Sequence, residues 1–205
     1  MLTLLALMLG DAPAPRGDRP MPDPLADRGE LLFRDSFSNG LRPEWHFDRD
    51  SVWTIEDGHL RAKLPAAKQL RSFAYLGSPQ WKDYALDFDV CGVRGVDKGV
   101  AIRVDGCRKG VGIDLRGPRY NDLLMYRGYE QWGRAAVPNV NGTWYHVHIE
   151  ARRNRYRVFV NGDLQIDFTD EVNSRPRGRV ALAAYTGGFG ECVVLYDNVE
   201  VRALR

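Results

Sequence analysis

The sequence predicts an all-β fold made of two large antiparallel sheets packed together. From residue 31 onward, apolar and polar residues alternate with a period of two, which is typical of half-buried strands. Turn residues separate the alternating runs, and the 205-residue chain contains 21 glycines. No segment of helical length carries an i, i+3, i+4 apolar stripe. These observations favour a sandwich or a barrel over an α/β fold.

The predicted strands follow one another at turn spacing along the chain. Asp57-Gly58 and Asn161-Gly162 mark tight hairpins, since these dipeptides adopt the positive φ values of two-residue turns. The prolines after residue 30 fall between the runs, where a missing amide donor breaks no ladder. We predict strands over 31–37, 52–57, 59–64, 70–77, 83–91, 99–105, 111–116, 122–128, 144–152, 156–162, 163–168, 178–186 and 192–202.

The first residues differ from the rest of the chain. Residues 2–9 read LTLLALML, an apolar run far shorter than the ~20 residues that span a bilayer but suited to the core of a signal peptide. Residues 11–29 are rich in proline and poor in large apolar residues. We therefore expect a signal peptide over 1–14, a Pro-rich linker over 15–29 and a single domain over 30–205. This implies a secreted or periplasmic protein without a membrane span.

Charge and cysteine content exclude several functions. There are 29 basic and 27 acidic residues, for a net charge of +2, so no basic surface is expected to attract nucleic acid. The three cysteines, Cys91, Cys107 and Cys192, are odd in number and lack metal-ligand spacing. The sequence does not decide whether any of them is paired, nor does it give the oligomeric state.

Several strands place charged side chains on one face. Asp87 and Asp89 alternate with apolar residues, as do Asp114 and Arg116, and so do His146, His148 and Glu150. One interpretation is a solvated face with cross-strand ion pairs. The other is the polar floor of a binding groove.

The order of certain segments resembles a known superfamily. These segments are LLFRDSFSNGLRPEWHF, SVWTIEDGHL, DYALDFDV, GVAIRVD, GTWYHVHIEARRNRYRVFVNGDLQ and LYDNVEV. Together they resemble the concanavalin A-like lectin/glucanase superfamily, and most closely its laminin-G-like and 3-keto-disaccharide-hydrolase-like branches. The resemblance implies a jelly roll of two curved antiparallel sheets whose concave face binds saccharide. The glucanase signature E-x-D-x-x-E is missing from the chain, so that hydrolytic route is not expected.

A saccharide site needs aromatic faces for the sugar C–H groups and polar side chains for the hydroxyls. Strands 99–105 and 111–116 are close in sequence, and we expect them to lie side by side with their charged residues on one face. The loop 126–132 adds aromatic residues that could close one end of a groove. The predicted saccharide-binding residues are Arg103, Asp114, Arg116, Tyr126, Tyr129 and Trp132.

Catalysis by a carboxylate pair is the second possibility. Asp87 and Asp89 share one strand face, and Asp114 could lie on a nearby strand. Nothing in the sequence marks one of these three as the acid, so they remain weak candidates and the catalytic residues stay unknown.

Two groups of residues have side chains of the types that bind metal ions. His146 and His148 share a face, but no third zinc ligand is evident. Asp35 in the first strand, with Asp197 and Asn198 in the last, offers oxygen ligands for a structural Ca²⁺, or else simply serves turns and bulges.

Three functions therefore stay open. The first is a secreted carbohydrate-binding domain, with a saccharide or polysaccharide as its partner. The second is a glycoside hydrolase or lyase of the 3-keto-disaccharide-hydrolase-like type. The third is a structural, laminin-G-like adhesion domain.

Overall fold

The computed structural model describes residues 28–105 and 109–205. The regular structure of these residues consists of fifteen β-strands and one 3-10 turn, Asp50–Val52. The strands in chain order are β1 (Arg28–Asp35), β2 (His46–Phe47), β3 (Trp53–Glu56), β4 (His59–Leu64), β5 (Arg71–Leu76), β6 (Tyr84–Arg94), β7 (Asp97–Val104), β8 (Val111–Arg116), β9 (Asp122–Arg127), β10 (Glu130–Ala136), β11 (Trp144–Arg152), β12 (Arg155–Val160), β13 (Asp163–Thr169), β14 (Arg179–Tyr185) and β15 (Cys192–Leu204).

The strands form two antiparallel sheets. The eight-stranded sheet has the order β13-β12-β11-β6-β15-β4-β3, with β1 paired to β15. The seven-stranded sheet has the order β10-β9-β8-β7-β14-β5-β2. The predicted all-β jelly-roll sandwich is thereby confirmed.

Period-two alternation builds the core between the sheets. In β6, the side chains of Leu86, Phe88 and Val90 are fully buried in this core, whereas Asp87 and Asp89 point to the other side. Burial of this apolar surface is the main stabilising contribution to the sandwich.

The chain changes sheets between β6 and β7. Gly95 makes this step with a φ of +98°, a conformation that residues with a Cβ rarely adopt. Polar residues of β6 and of β7 therefore belong to opposite outer surfaces of the sandwich. This separates charged residues that the sequence placed on one common face.

Two strands were not predicted. β2 has only two residues, and β10 occupies part of the stretch expected to be an aromatic loop. β10 forms a hairpin with β9 and contains a register shift between Gln131 and Gly133. This irregularity hides the strand, because it breaks the period of two in the sequence.

The expected signal peptide lies outside the described residues, as does the linker up to residue 27, and β1 begins at Arg28. Cys91 and Cys192 are buried free thiols, and Cys107 is not among the described residues. In the part of the chain that the structure describes, no helix combines the length and the apolar character needed to cross a bilayer.

Candidate functional site

A row of polar side chains crosses the outer face of the seven-stranded sheet. Arg71 on β5 lies opposite Tyr185 on β14, which lies opposite Asp97 on β7. Asp97 in turn faces Arg116 on β8, and Arg116 faces Asp122 on β9. We call this the first row. It contains two arginines, two aspartates and a tyrosine, on five neighbouring strands.

Two further rows follow along the strands, and small residues form their centres. The second row is Phe73, Ala183, Gly99, Asp114 and Leu124, and the third row is Tyr75, Ala181, Ala101, Gly112 and Tyr126. Because glycine and alanine fill the middle, the sheet has a low floor between the larger side chains at either end of each row. A cavity of about 520 Å³ lies here, and Arg71, Phe73, Ala101, Gly112 and Tyr126 are part of its lining. We call it the central groove.

Two glycines allow side chains to lie back across this floor. A Cβ atom on Gly112 would come within 2.5 Å of the ring of Tyr126. A Cβ atom on Gly99 would come within 2.8 Å of a carboxylate oxygen of Asp114. The Tyr126 hydroxyl and the Asp114 carboxyl are hydrogen-bonded to each other. Both side chains are therefore held low over the sheet, with Tyr126 in the lining of the groove and Asp114 beside it.

A cation stands beside this pair. The guanidinium of Arg71 lies 4.1 Å from the ring centroid of Tyr185. Its charge also acts on Tyr126 and Asp114. Stacking on Tyr185 restricts where the guanidinium can go, so it stays near the carboxyl group.

Two carboxyl groups beside the groove, those of Asp97 and Asp114, have pKa values raised above the usual value of an aspartate. Burial raises the pKa of Asp114 to about 6, although the Tyr126 hydrogen bond and the Arg71 charge lower it in part. Burial, followed by the nearby Asp114 charge, raises the pKa of Asp97 to about 7. Oδ1 of Asp97 is buried and has no hydrogen-bond partner among the described residues. Two carboxyls that can exchange protons near neutral pH thus lie on the outer face of the sheet, beside the groove.

The separation of these carboxyls follows from their register. Asp97 is opposite Arg116, and Asp114 lies two residues from Arg116 on the same strand. They are diagonal neighbours, so their Cα atoms are about 7–8 Å apart.

Three predicted binding residues do share this site: Asp114, Arg116 and Tyr126. Asp114 and Tyr126 are both partly exposed, and Tyr126 is part of the groove lining. Arg116 donates to both oxygens of Asp122, at 2.8 and 2.6 Å. Its charge therefore faces the groove from a fixed position.

The expectation that Arg103 lies on the same face as Asp114 is wrong. Arg103 is at a register shift of β7 and has a φ of +50°, which turns its side chain into the sandwich. It is fully buried and donates to the carbonyl of Arg175 at 2.7 Å and the hydroxyl of Tyr156 at 3.2 Å. Arg103 also donates to the carbonyl oxygen of Arg153. Its role is structural.

The expected stacking wall is also not formed as predicted. Trp132 faces the interior from β10, is only 8% exposed, and stacks on Phe168 with ring centroids 4.8 Å apart. Tyr129 lies at the turn between β9 and β10, where it is fully exposed and is not part of the groove lining. Trp132 and Tyr129 differ from the prediction because the strand β10, which was not predicted, replaces part of the expected loop.

Asp87 and Asp89 are on the opposite surface of the molecule, so neither can act together with Asp114. Asp87 accepts from His148 at 2.8 Å, and His146 lies 2.8 Å from Asp89. Burial opposes the charge on His146, but its hydrogen bonds to Asp87 and Asp89 outweigh this and raise its pKa to about 9. Hydrogen bonds to Asp87 and Glu150 likewise overcome burial at His148 and raise its pKa to about 9. These are charged ion pairs, and a protonated imidazole is not a zinc ligand.

The proposed calcium ligands do not form a site. The oxygens of Asp35 accept from the backbone amide of Phe37 and from Nε1 of Trp45, both at 2.8 Å. Asn198 donates to Asp89, and Asp197 accepts from the amide of Asn198. Among the described residues, no group of three or more His, Cys, Asp or Glu could hold a metal ion. The residues present therefore do not fit a Ca²⁺ ion.

Sequence reasoning missed Arg71, Phe73, Asp97 and Tyr185. A signal existed for two of them: in the run LRSFAYLG, the period of two sends Arg71 and Phe73 to the outer face. For Asp97 and Tyr185 there was none, because the pairing of β7 with β14 joins residues distant in sequence.

Several solved structures share this fold. The carbohydrate-binding module CBM66 from Bacillus subtilis superposes with a TM-score of 0.66 at 14% identity, covering 78% of this chain and 96% of that one. The exoplasmic/lumenal domain of VIP36, in its Ca²⁺/Man3GlcNAc-bound form, gives 0.65 at 12% identity, covering 84% and 88%. A putative glycosyl hydrolase from Parabacteroides distasonis gives 0.60 at 15% identity, covering 84% and 100%. At these identities the likeness is one of fold.

The family is shown by the sequence itself. Residues 32–202 match the model of the 3-keto-alpha-glucoside-1,2-lyase-like domain, and the chain belongs to that family. A search of curated proteins gives no significant match.

Proposed function

We propose that this protein is an enzyme that binds a 3-keto-α-glucoside in the central groove and cleaves it by elimination. The observation that carries the proposal is the pair Asp97 and Asp114, two carboxyls on neighbouring strands beside the central groove, whose pKa values of about 7 and about 6 suit proton transfer at neutral pH. The family to which the chain belongs supports the choice of substrate.

The chemistry begins with a proton. In a 3-keto-glucoside, the hydrogen on C2 is acidic because it is next to the C3 carbonyl. Asp114 is the base in this proposal, since it is partly exposed beside the groove and its raised pKa makes its carboxylate more basic than usual. Arg71, whose charge already acts on Asp114, offsets the negative charge that develops on the C3 oxygen.

The second proton belongs to the leaving group. As the C1–O bond breaks, the electron pair of the C2–H bond becomes the C1=C2 double bond, and the departing oxygen needs a proton. Asp97 supplies it in this proposal, because its pKa of about 7 leaves it partly protonated at neutral pH. One proton is taken and one is given, so the elimination needs no oxidant or reductant.

Binding would come from the shape and edges of the groove. The floor of Gly99, Ala101 and Gly112 admits a flat sugar ring. Phe73 and Tyr126 offer apolar edges at either side, and the charged first row offers donors and acceptors to hydroxyl groups.

The test uses the full chain with three probes: methyl 3-keto-α-glucopyranoside, 3-keto-maltose and unoxidised maltose. Release of the leaving alcohol is followed by NMR, and exchange of the C2 hydrogen is followed in D₂O. We expect turnover of the two keto sugars only. Asp114→Asn should abolish both release and exchange while binding measured by calorimetry persists. Asp167→Asn, at an exposed position of β13, is the matched carboxylate control and should behave as wild type.

The outcomes separate the candidate functions. Calorimetric binding without turnover of any probe would make the protein a binding module instead of an enzyme. An absence of both binding and turnover would remove the saccharide proposal and favour a structural adhesion domain. Turnover that survives Asp114→Asn would show that another group is the base.

We also propose that the chain is exported with loss of its N-terminal segment, from the apolar run 2–9 and the Pro-rich residues after it. N-terminal sequencing of the protein from its native cells is the test. An intact Met1 would overturn it.

A further inference from the structure

Two aromatic rings meet at the first-row end of the groove. Tyr120, between β8 and β9, and Phe189, between β14 and β15, pack edge to face with ring centroids 6.0 Å apart. Each keeps 40% of its surface exposed. We call them the aromatic pair. An exposed pair of large rings is costly in water and commonly marks a contact surface.

Arginines hold both rings in place. The guanidinium of Arg116 lies 4.4 Å from the ring centroid of Tyr120, and that of Arg119 lies 4.7 Å from the ring centroid of Phe189. Arg116 is itself fixed by Asp122. The aromatic pair is therefore ordered before any ligand arrives, which lowers the entropic cost of stacking.

The aromatic pair lies next to Asp97. Arg116, beneath Tyr120, is the cross-strand partner of Asp97. Gly187, two residues before Phe189, is so near that a Cβ atom there would be 2.9 Å from Oδ2 of Asp97. The buried, unpartnered Oδ1 of Asp97 is in the same place. An acceptor without a donor, beside exposed rings, is the arrangement that a sugar hydroxyl could complete by donating a hydrogen bond.

The carboxyls thus lie between two binding surfaces. The central groove occupies the side of the second and third rows, and the aromatic pair lies beyond the first row. Four residues along a strand separate the first row from the third, a distance of about 14 Å. A ligand that reaches from the groove to the aromatic pair must be longer than one sugar ring.

We propose that the aromatic pair is a second saccharide subsite, which stacks the leaving sugar unit while the keto sugar occupies the central groove. This rests on the proposed function and extends it, because it assigns the residues that hold the leaving sugar unit. The scissile bond then lies beside Asp97, where the leaving oxygen needs its proton.

The experiment compares two probes that share the keto sugar and differ in the leaving group. Methyl 3-keto-α-glucopyranoside has no second ring, whereas 3-keto-maltose has one. We expect Tyr120→Leu and Phe189→Leu each to lower kcat/KM for 3-keto-maltose by about tenfold, equivalent to one lost stacking contact, and to change the methyl glycoside less than twofold. Tyr129→Leu, an exposed tyrosine at the neighbouring hairpin turn, is the control and should change neither.

The outcomes distinguish this subsite from the proposed function. If wild-type protein cleaves both probes and the two variants lower both equally, or lower neither, the subsite is wrong and the enzyme stands. If wild-type protein acts on neither probe, the proposed function fails and the subsite fails with it. Using two separate variants guards against misfolding of one, and each is checked by circular dichroism.

Discussion

The ring of Tyr126 on β9 lies over Gly112, its cross-strand partner on β8. A Cβ atom at position 112 would be 2.5 Å from the ring. The same ring carries the hydroxyl that hydrogen-bonds Asp114. Gly112 therefore acts on the candidate base through Tyr126, although it has no side chain of its own.

Gly112→Ala should displace the Tyr126 ring and weaken the proposed activity by about tenfold, since the Asp114 hydrogen bond is lost with the ring position. The end of a tyrosine side chain can move, so the unfolding free energy should change by less than about 1 kcal/mol. A double-mutant cycle with Tyr126→Ala checks the mechanism. In the double variant the added methyl group should have no further effect, and an additive loss would contradict this account.

Arg103→Met should destabilise the protein by about 3–5 kcal/mol, because it leaves a set of buried acceptors without their shared donor. These acceptors include the hydroxyl of Tyr156 and the carbonyl of Arg175. Urea denaturation measures the effect. Arg155→Met, at an exposed position paired with Asp167, is the control and should cost less than about 1 kcal/mol. Equal effects at the two positions would mean that Arg103 is not the anchor described here.

Trp132→Ala should lower the unfolding free energy by about 3–5 kcal/mol, since it empties a buried space beside Phe168 and Tyr156. Tyr129→Ala, three residues away but fully exposed, should stay within about 0.5 kcal/mol of wild type. Thermal denaturation of both variants decides between a structural role and a ligand-facing role. A stable Trp132→Ala protein with lost saccharide binding would restore the original binding hypothesis.

Stability should fall as pH rises from about 6.5 to about 9, because of His146 and His148. Both have a pKa of about 9 in the folded protein against a reference value of 6.5. Their ion pairs with the neighbouring carboxylates are therefore fully present below pH 6.5 and are lost as pH rises through 9. For a partly exposed pair, a loss on the order of 1–3 kcal/mol is expected.

Urea denaturation at several pH values tests this, with His146→Gln as the variant and His46→Gln, an exposed histidine of β2, as the control. His146→Gln should flatten the fall, and His46→Gln should not. Burial lowers the pKa of Lys98 to about 8, which adds an opposite slope above that pH. That contribution cancels in the comparison, because all three proteins keep Lys98. If the unfolding free energy changes with pH in the same way in all three proteins, the fall in stability does not come from His146.

Local alternation was enough to place much of the site. Asp114 and Arg116 alternate with Ile113 and Leu115, so their outward direction could be predicted from the sequence. Tyr126 was predicted from the aromatic residues of the segment 126–132, and it lies on β9. The rule failed at Arg103, where a register shift and a left-handed residue reverse the direction of the side chain. It failed again at Trp132, because the shift beside Gly133 breaks the pattern.

Sheet membership was beyond local alternation. β6 and β7 are neighbours in sequence yet belong to different sheets, so Asp87 and Asp114 ended on opposite surfaces. The first row also depends on pairs such as Asp97 with Tyr185. Long-range pairings of this kind are set by packing of the whole sandwich and not by residue spacing.

The position of β15 determines when the protein can fold during its biosynthesis. β15 is the last strand in chain order, yet it lies between β6 and β4 and also pairs with β1. Until the ribosome has added residues 192–204, each of those three strands has an unpaired edge, and the apolar core is exposed on that side. Folding of the sandwich must therefore wait until β15 has been synthesised, and a nascent chain stalled before Cys192 would depend on chaperones to stay out of aggregates.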